Sequence, residues 1–248
     1  MTVRDTFDRG YGAIFNREPH IERVHLDNGG CCYVIDDALA APERLVAFAM
    51  ENAGTFAPTD INAYPGILLR APEPVNAALG DFFVERVRRL FDARRLLYMH
   101  SRLSLVTVPP DRLRPCQWIC HRDSQGLDPG QSIQACVLYL FRDAALGGTA
   151  FYEPNLPAPA ISRLFHHAGT MANDEFARSH NIRAGYMVES NDYFRLVGRI
   201  PAAWNRLIFY DGAMLHSGDI FAPGRLSGNP ASGRLTLNGF FTCRRNAL

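Results

Sequence analysis

The sequence has no surplus of charge of either sign. Its 248 residues carry 26 Lys and Arg against 25 Asp and Glu. That balance leaves no electrostatic footprint for DNA or RNA, which ordinarily needs a basic stripe, and none for a polybasic membrane anchor. The local exception, "RVRRLFDARR", falls on the polar side of an expected helix and reads as a solvated face. No apolar run approaches the roughly 20 residues needed to cross a bilayer. The opening "MTVRDTFDRG" is charged and lacks the apolar stretch of a secretory signal. Cysteine is scarce as well, six in all, and Cys31 and Cys32 are adjacent, so reduced thiols in a cytoplasmic protein are expected rather than a disulfide scaffold. Cys116 and Cys120 precede a histidine, but their spacing is not that of a zinc ribbon and no second pair follows. Internal repeats and low-complexity linkers are absent too. A single domain over residues 1–248 is therefore expected.

What is present is apolar and patterned. Hydrophobic residues make up 47% of the chain, enough for a sizeable core. "CCYVIDDAL" reads as a strand and Pro42 to Glu51 as a helix. The following loop, "TFAPTDINAYPGILLRAPEP", is rich in turn formers. Leu79, Phe82, Phe83, Val87, Leu90 and Phe91 then recur at three- and four-residue steps, the mark of an amphipathic helix. From Tyr98 the period shortens to two. "MHSRLSLVTV", "PCQWICHRD", "SIQACVLYLF", "GTAFYEP", "GYMVES", "YFRLVG", "NRLIFYD" and "RLTLNGFFTC" read as about eight short strands, most bounded by Gly, Pro, Asn or Asp. The expected fold is α+β. A jelly roll over about 98–243 follows N-terminal helices and a strand over 1–97, packed on one of its faces. An insertion at about 154–183, with a short helix at "ANDEFARS", is expected over one mouth of the β structure.

The chemistry-bearing residues are two stretches far apart. In "WICHRDSQG", His121 and Asp123 are two residues apart, and on an extended chain they project from one face. His-x-Asp alone is a weak signal, equally a structural hydrogen-bonded pair. In "NRLIFYDGAMLHSGD", His216 follows an apolar strand and a turn at Asp211-Gly212. A jelly roll sets its middle and late strands side by side, so the three residues would form a two-histidine, one-carboxylate face with open metal positions. That ligand set is the one used by non-haem Fe(II) oxygenases.

In the order of "HRD", "VLYLFRDAALGGTAFY", "LIFYDGAMLHSG" and "GRLTLNGFF", the segment from His121 to Arg234 resembles the 2-oxoglutarate/Fe(II)-dependent dioxygenases, in particular their prolyl-4-hydroxylase-like branch. The resemblance covers roughly residues 98–243, and "YVIDDALAAPERLVAFA" is similar to that branch more loosely. Gly147-Gly148 resembles the family's double-glycine turn. The resemblance implies a double-stranded β-helix holding Fe(II) on His121, Asp123 and His216. It also implies O₂ and 2-oxoglutarate as co-reactants, with oxidative decarboxylation coupled to hydroxylation.

The family pairs the distal carboxylate of 2-oxoglutarate with a cation on the last core strand, often with a hydroxyl two residues on. Two stretches fit, "RLS" at Arg225 and "RLT" at Arg234. Arg225 lies in a Gly/Pro/Ser-rich loop, whereas Arg234 and Thr236 share one side of a clear strand, which favours Arg234. A fixed guanidinium grips a carboxylate bidentately. Tyr139, Tyr152 and Asn238 are further candidate donors, each equally readable as core. Gln117 and Trp118 would line the substrate mouth or simply pack. His166, His167 and His180 lack a carboxylate at useful spacing and read as loop or lid residues.

Related halogenases lack the carboxylate ligand, so Asp123 favours hydroxylation over chlorination, with desaturation or ring formation open. A non-catalytic jelly roll that binds a metal or small molecule is the alternative. A zinc hydrolase would need a nearby general base, for which Asp211 and Asp219 are the nearest carboxylates in sequence to His216. A nucleic-acid demethylase would want a basic face. The expected substrate is a small molecule or a peptidyl side chain, and Phe165, Tyr186, Tyr193 and Phe194 suit either.

Overall fold

The computed structural model describes residues 14–58, 64–124 and 126–246. The charged opening stretch and residues 59–63 of the turn-rich loop lie outside them. The period-two stretch after Phe91 becomes β4, Arg95–Val106. From Tyr98 its side chains divide cleanly: Met99, Leu103 and Leu105 pack into one apolar cluster, while Tyr98, His100, Arg102 and Ser104 take the other face. Its neighbour β10, Leu235–Arg244, divides the same way, with Leu235, Leu237 and Phe241 on the apolar side and Thr236, Asn238 and Phe240 opposite Ser104, Arg102 and His100.

These two strands sit inside a seven-stranded antiparallel sheet. Its other members are β1 (Glu22–His25), β2 (Cys31–Ile35), β3 (Gly66–Arg70), β5 (Gln131–Tyr139) and β8 (Leu207–Asp211), and the order across it is β1-β2-β8-β5-β10-β4-β3. A smaller sheet runs β7 (Phe194–Ile200), β6 (Thr149–Pro154), β9 (Leu215–Gly218), and a single bridge from His121 to His216 extends it. From β4 onward the chain crosses repeatedly between the sheets. β5, β8 and β10 return to the large one; the His121 bridge, the β6–β7 pair and β9 lie in the small one.

Three apolar clusters hold the layers. Helices α1 (Pro42–Glu51) and α2 (Glu73–Phe82) lay Leu45, Phe48, Val75, Leu79 and Phe82 on the apolar face of the large sheet, against Leu103, Leu138, Phe209 and Leu237. Each side chain of this size, fully buried, contributes about 1.5–3 kcal/mol. Between the sheets lie Ala135, Tyr139, Phe151, Val197, Ile208 and Tyr210. Behind the small sheet, α3 (Ala158–Thr170) and α4 (Asn173–His180) set Ile161, Leu164 and Phe176 against Trp118, Ala150, Tyr152 and Leu215.

The helix at Pro42–Glu51 matches its expected bounds, while three other elements differ. The helix ending in Phe91 loses its regular winding early: α2 gives way to a wider turn over Phe83–Val87 and then a tighter 3₁₀ turn over Arg88–Leu90. "PCQWICHRD" forms a 3₁₀ turn at Pro115–Gln117 and pairs only toward its end, at His121 and Asp123. "GYMVES" forms no ladder, because its polar contacts are side-chain ones, with Tyr152 Oη donating to the Met187 carbonyl at 3.0 Å. The insertion also differs from expectation, since its helices back the small sheet on the side away from His216. Opposed residues in an antiparallel pair share a face, and Phe151 opposes His216 while Tyr152 opposes Leu215 in the rear cluster.

Candidate metal centre and its pocket

His121 and His216 exchange both backbone hydrogen bonds, N to O at 2.9 Å each way. Residues so paired project to one side, and their rings lie 4.4 Å apart, centroid to centroid. Two residues on, the Asp123 amide donates to the Gly212 carbonyl at 2.8 Å, which turns its carboxylate to the same side. Asp123 Oδ1 is 3.8 Å from His121 Nε2 and Oδ2 is 3.5 Å from His216 Nε2. One donor atom from each of the three residues falls within 4.8 Å of the others, a group able to hold a metal ion.

Three details suit such an ion. Asp123 Oδ2 is buried without a hydrogen-bond partner among the described residues, an acceptor left over. His216 Nδ1 lies 2.9 Å from the Met214 carbonyl, so it carries the ring proton and leaves the Nε2 lone pair toward Asp123. The pKa of His121 is pushed down to about 4, first by burial and then by His216, against the pull of Asp123. A ring so depressed can offer a lone pair to an ion, and about half of its side chain, 52%, is open to solvent.

Arg234 is 5% exposed and lies deep between the sheets. Its Nε donates to the carbonyls of Leu146 and Gly147 at 3.0 and 3.2 Å, and Nη2 donates to that of Gly148 at 2.7 Å. Glycine is required where those carbonyls turn. Gly147 has φ +82°, and a Cβ there would sit 1.9 Å from the Asp219 carbonyl; one on Gly148 would sit 1.9 Å from that of Ile200. No carboxylate among the described residues pairs with Arg234, an arrangement that leaves a buried cation in need of an anion. Around it, the Tyr139 hydroxyl meets Thr149 Oγ1 at 2.8 Å, and Thr236 opposes both Tyr139 and Ser104.

The chain belongs to the DUF6445 family. That family is described as one of unknown function, and its model matches residues 17–241. No curated protein matches the sequence. Among solved structures, the chain is similar to the non-heme alpha ketoglutarate dependent carbocyclase SnoK from nogalamycin biosynthesis, with TM-score 0.48 and 13% identity over 86% of this chain and 79% of that one. HygX from Streptomyces hygroscopicus, with nickel, 2-oxoglutarate and hygromycin B bound, gives TM-score 0.46 and 13% identity over 88% and 84%. A prolyl-4-hydroxylase from Pseudomonas putida gives TM-score 0.41 and 15% identity over 92% and 99%. Likenesses this distant say nothing of what a DUF6445 chain binds or does.

The other candidate residues of this DUF6445 chain fall in varied places. Asn238 lines the same face as Thr236, with Nδ2 donating to Ser104 Oγ at 3.2 Å and Oδ1 buried without a partner. Tyr152 faces the rear cluster and is away from the histidines. Arg225 lies on a surface turn, ion-paired to Asp143 at 2.6 Å. Gln117 donates to the Tyr64 carbonyl at 3.4 Å, and Trp118 is buried in the rear cluster with Nε1 on the Leu113 carbonyl. His167 and His180 join in a chain with Tyr193, at 2.9 and 2.8 Å, that ties α3 to α4. Of the two carboxylates considered as a general base, Asp211 caps the Ala213 amide and Asp219 pairs with Arg199.

Sequence reasoning passed over four residues of the pocket face: Tyr64, His100, Arg102 and Ser104. The Tyr64 phenol interacts with Thr236 and Ser104, and burial raises its pKa to about 12 against the pull of Arg234. The only signal for the other three was the alternation at the start of "MHSRLSLVTV", where His100, Arg102 and Ser104 share one phase of the strand.

Proposed function

We propose that this chain is a non-haem Fe(II), 2-oxoglutarate-dependent oxygenase that hydroxylates a small molecule or a peptidyl side chain. In this reading the two sheets are a double-stranded β-helix, which is what the repeated crossing from large to small sheet after β4 supports. The observation that carries the proposal is the convergence of His121, Asp123 and His216 within 4.8 Å, with a buried oxygen on Asp123 that has no hydrogen-bond partner among the described residues.

Two neutral imidazoles and one carboxylate cancel only one of the two charges of Fe(II) and leave positions open for other ligands. When bound, the iron would supply the chemistry of O₂, one oxygen atom ending in succinate as 2-oxoglutarate loses CO₂ and the other in the hydroxylated substrate C–H bond. The protein's part is placement. Met214 fixes the tautomer of His216, so the metal-facing nitrogen is the deprotonated one. Arg234 is held by the Leu146–Gly148 carbonyls through Nε and Nη2, and Nη1 has no hydrogen bond among the described residues. Nη1 is thus available for the distal carboxylate of 2-oxoglutarate, with Tyr64, Thr236 and Tyr139 around it. Buried between the sheets, that ion pair is little screened by water.

The test needs no substrate. Mixed anaerobically with Fe(II) and 2-oxoglutarate, the protein should develop the weak visible absorption of a ferrous keto-acid chelate. His121→Ala and His216→Ala should each remove it. A protein that binds metal but is indifferent to 2-oxoglutarate would instead be the non-catalytic binding protein.

A further inference from the structure

Arg102 stands apart from the buried Arg234. It opposes Asn238 across β4 and β10, one pair nearer the metal-binding trio than Thr236 and Ser104. Its guanidinium leans away from Arg234: its carbon is 5.2 Å from the centre of the Phe240 ring, and Nη2 lies 3.2 Å from His100 Nε2. It is half-buried, and it has no ion-pair partner among the described residues, although Asp123 is near enough to act on it electrostatically.

The contact with His100 has a consequence for that ring. Arginine only donates, so His100 Nε2 accepts and Nδ1 carries the proton. His100 Nδ1 is nevertheless buried with no acceptor among the described residues. An unmet buried donor counts against the folded state unless a ligand meets it. Flat surfaces surround these donors. His100 stacks on Phe240 at 5.0 Å and 21°, and Tyr98, 62% exposed, continues the series outward at 5.6 Å.

Formal charge points the same way. Of the three charged residues named here, Asp123 is negative and Arg234 and Arg102 are positive, which leaves one positive charge in excess among them. A divalent metal and dianionic 2-oxoglutarate would cancel each other and leave that excess in place. One further carboxylate would neutralise it.

We propose that His100, Arg102 and Phe240 anchor a carboxylate of the substrate, carried on a flat apolar body, at the outer end of the pocket. The inference rests on the oxygenase reading and narrows its substrate class to organic acids. Arg102 holds the acid group, Phe240 and Tyr98 lie along the body, and the far end of the body reaches the metal.

The full chain, loaded with Ni(II) and saturated with 2-oxoglutarate, tests this by calorimetric titration with benzoate and phenylacetate and with their neutral amides. Wild type should bind at least one of the two acids and bind its amide at least tenfold more weakly. Arg102→Gln should weaken the acid by tenfold or more and leave the 2-oxoglutarate Kd within about twofold. Arg102→Lys, which keeps the charge but loses the fork, should fall between, and it decides the matter if the glutamine variant does not fold. Acid and amide binding alike, or neither binding, overturns the proposal. So does a tenfold loss of 2-oxoglutarate affinity in Arg102→Gln, which would make Arg102 part of the cosubstrate's site. If wild type binds no 2-oxoglutarate at all, the oxygenase reading fails on its own. The acid titration is then run on the metal-free chain, where loss in Arg102→Gln but not in Arg234→Gln still supports the anion site, and the reverse overturns it.

Discussion

The two faces of the large sheet are made by the same strands and share almost nothing else. On the helix side, β4 and β10 present Leu103, Leu105, Leu237 and Phe241, each wholly buried. Phe241 stacks on Phe83 at 4.1 Å and lies 5.8 Å from Phe209. One residue along, the same strands present His100, Arg102, Ser104, Thr236 and Asn238, with polar atoms on His100 and Asn238 that find no partner among the described residues. An apolar face of this kind stabilises in proportion to the area it removes from water, whereas unmet polar atoms do the opposite. The pocket face costs stability, and the apolar face offsets that cost. The comparison teaches where function is to be sought, because a fold keeps such a liability at the place where a ligand would satisfy it.

The widest separation between the faces is expected from Phe241→Ala. Removing a fully buried ring from the helix-side core should cost about 3–5 kcal/mol of stability, read as a lowered midpoint in urea. The Ni(II) affinity of the fraction that remains folded should not change. A parallel fall in metal affinity would show that the two faces are not independent. The opposite variant, His216→Ala, should weaken Ni(II) binding roughly 100-fold or more, about 3 kcal/mol. It should move the metal-free melting temperature by only a few degrees. Unaltered metal stoichiometry would remove His216 from the ligand set.

The sequence made one face much more legible than the other. Apolar residues at every second position announce a strand whichever way it faces, so β5, β6, β8 and β10 could be read directly, and Leu79, Phe82, Phe83 and Val87 announced the helix laid over them. His121, Asp123 and His216 stood out because two-residue spacing and an Asp-Gly turn are local signals. Convergence of Arg234 with Gly147 and Gly148 is not local; the resemblance named both but did not bring them together. Tyr64, His100 and Arg102 were overlooked for a different reason: on a strand, alternating polar residues read as a solvent face, and a second sheet covering that face is a tertiary fact. The strands expected at "PCQWICHRD" and "GYMVES" failed similarly. Their composition suits a strand, but for most of their length they have no neighbour to pair with.

Arg234 tests how far the pocket face also does structural work. Arg234→Gln should raise the 2-oxoglutarate Kd by about tenfold to thirtyfold, or about 1.5–2 kcal/mol, by isothermal titration with Ni(II) present. It should also lower stability, because three carbonyls of the double-glycine turn lose charged donors. A variant that keeps full 2-oxoglutarate affinity would return the choice to Arg225.

The smallest effect is expected at Arg225, the rival with the same Arg-x-hydroxyl pattern. Its ion pair with Asp143 is short, at 2.6 Å, but the two side chains are 62% and 37% exposed. Exposed pairs contribute little, because water screens them and ordering two side chains offsets much of the attraction. Arg225→Ala should therefore change stability by no more than ~0.5–1 kcal/mol, and the 2-oxoglutarate titration should be superimposable on wild type. The contrast with Arg234 isolates what burial adds, since motif, charge and spacing are the same and only the surroundings differ. If Arg225→Ala weakened 2-oxoglutarate as much as Arg234→Gln, exposure would not separate a binding arginine from a surface one in this fold, and the division between the two faces would lose its force.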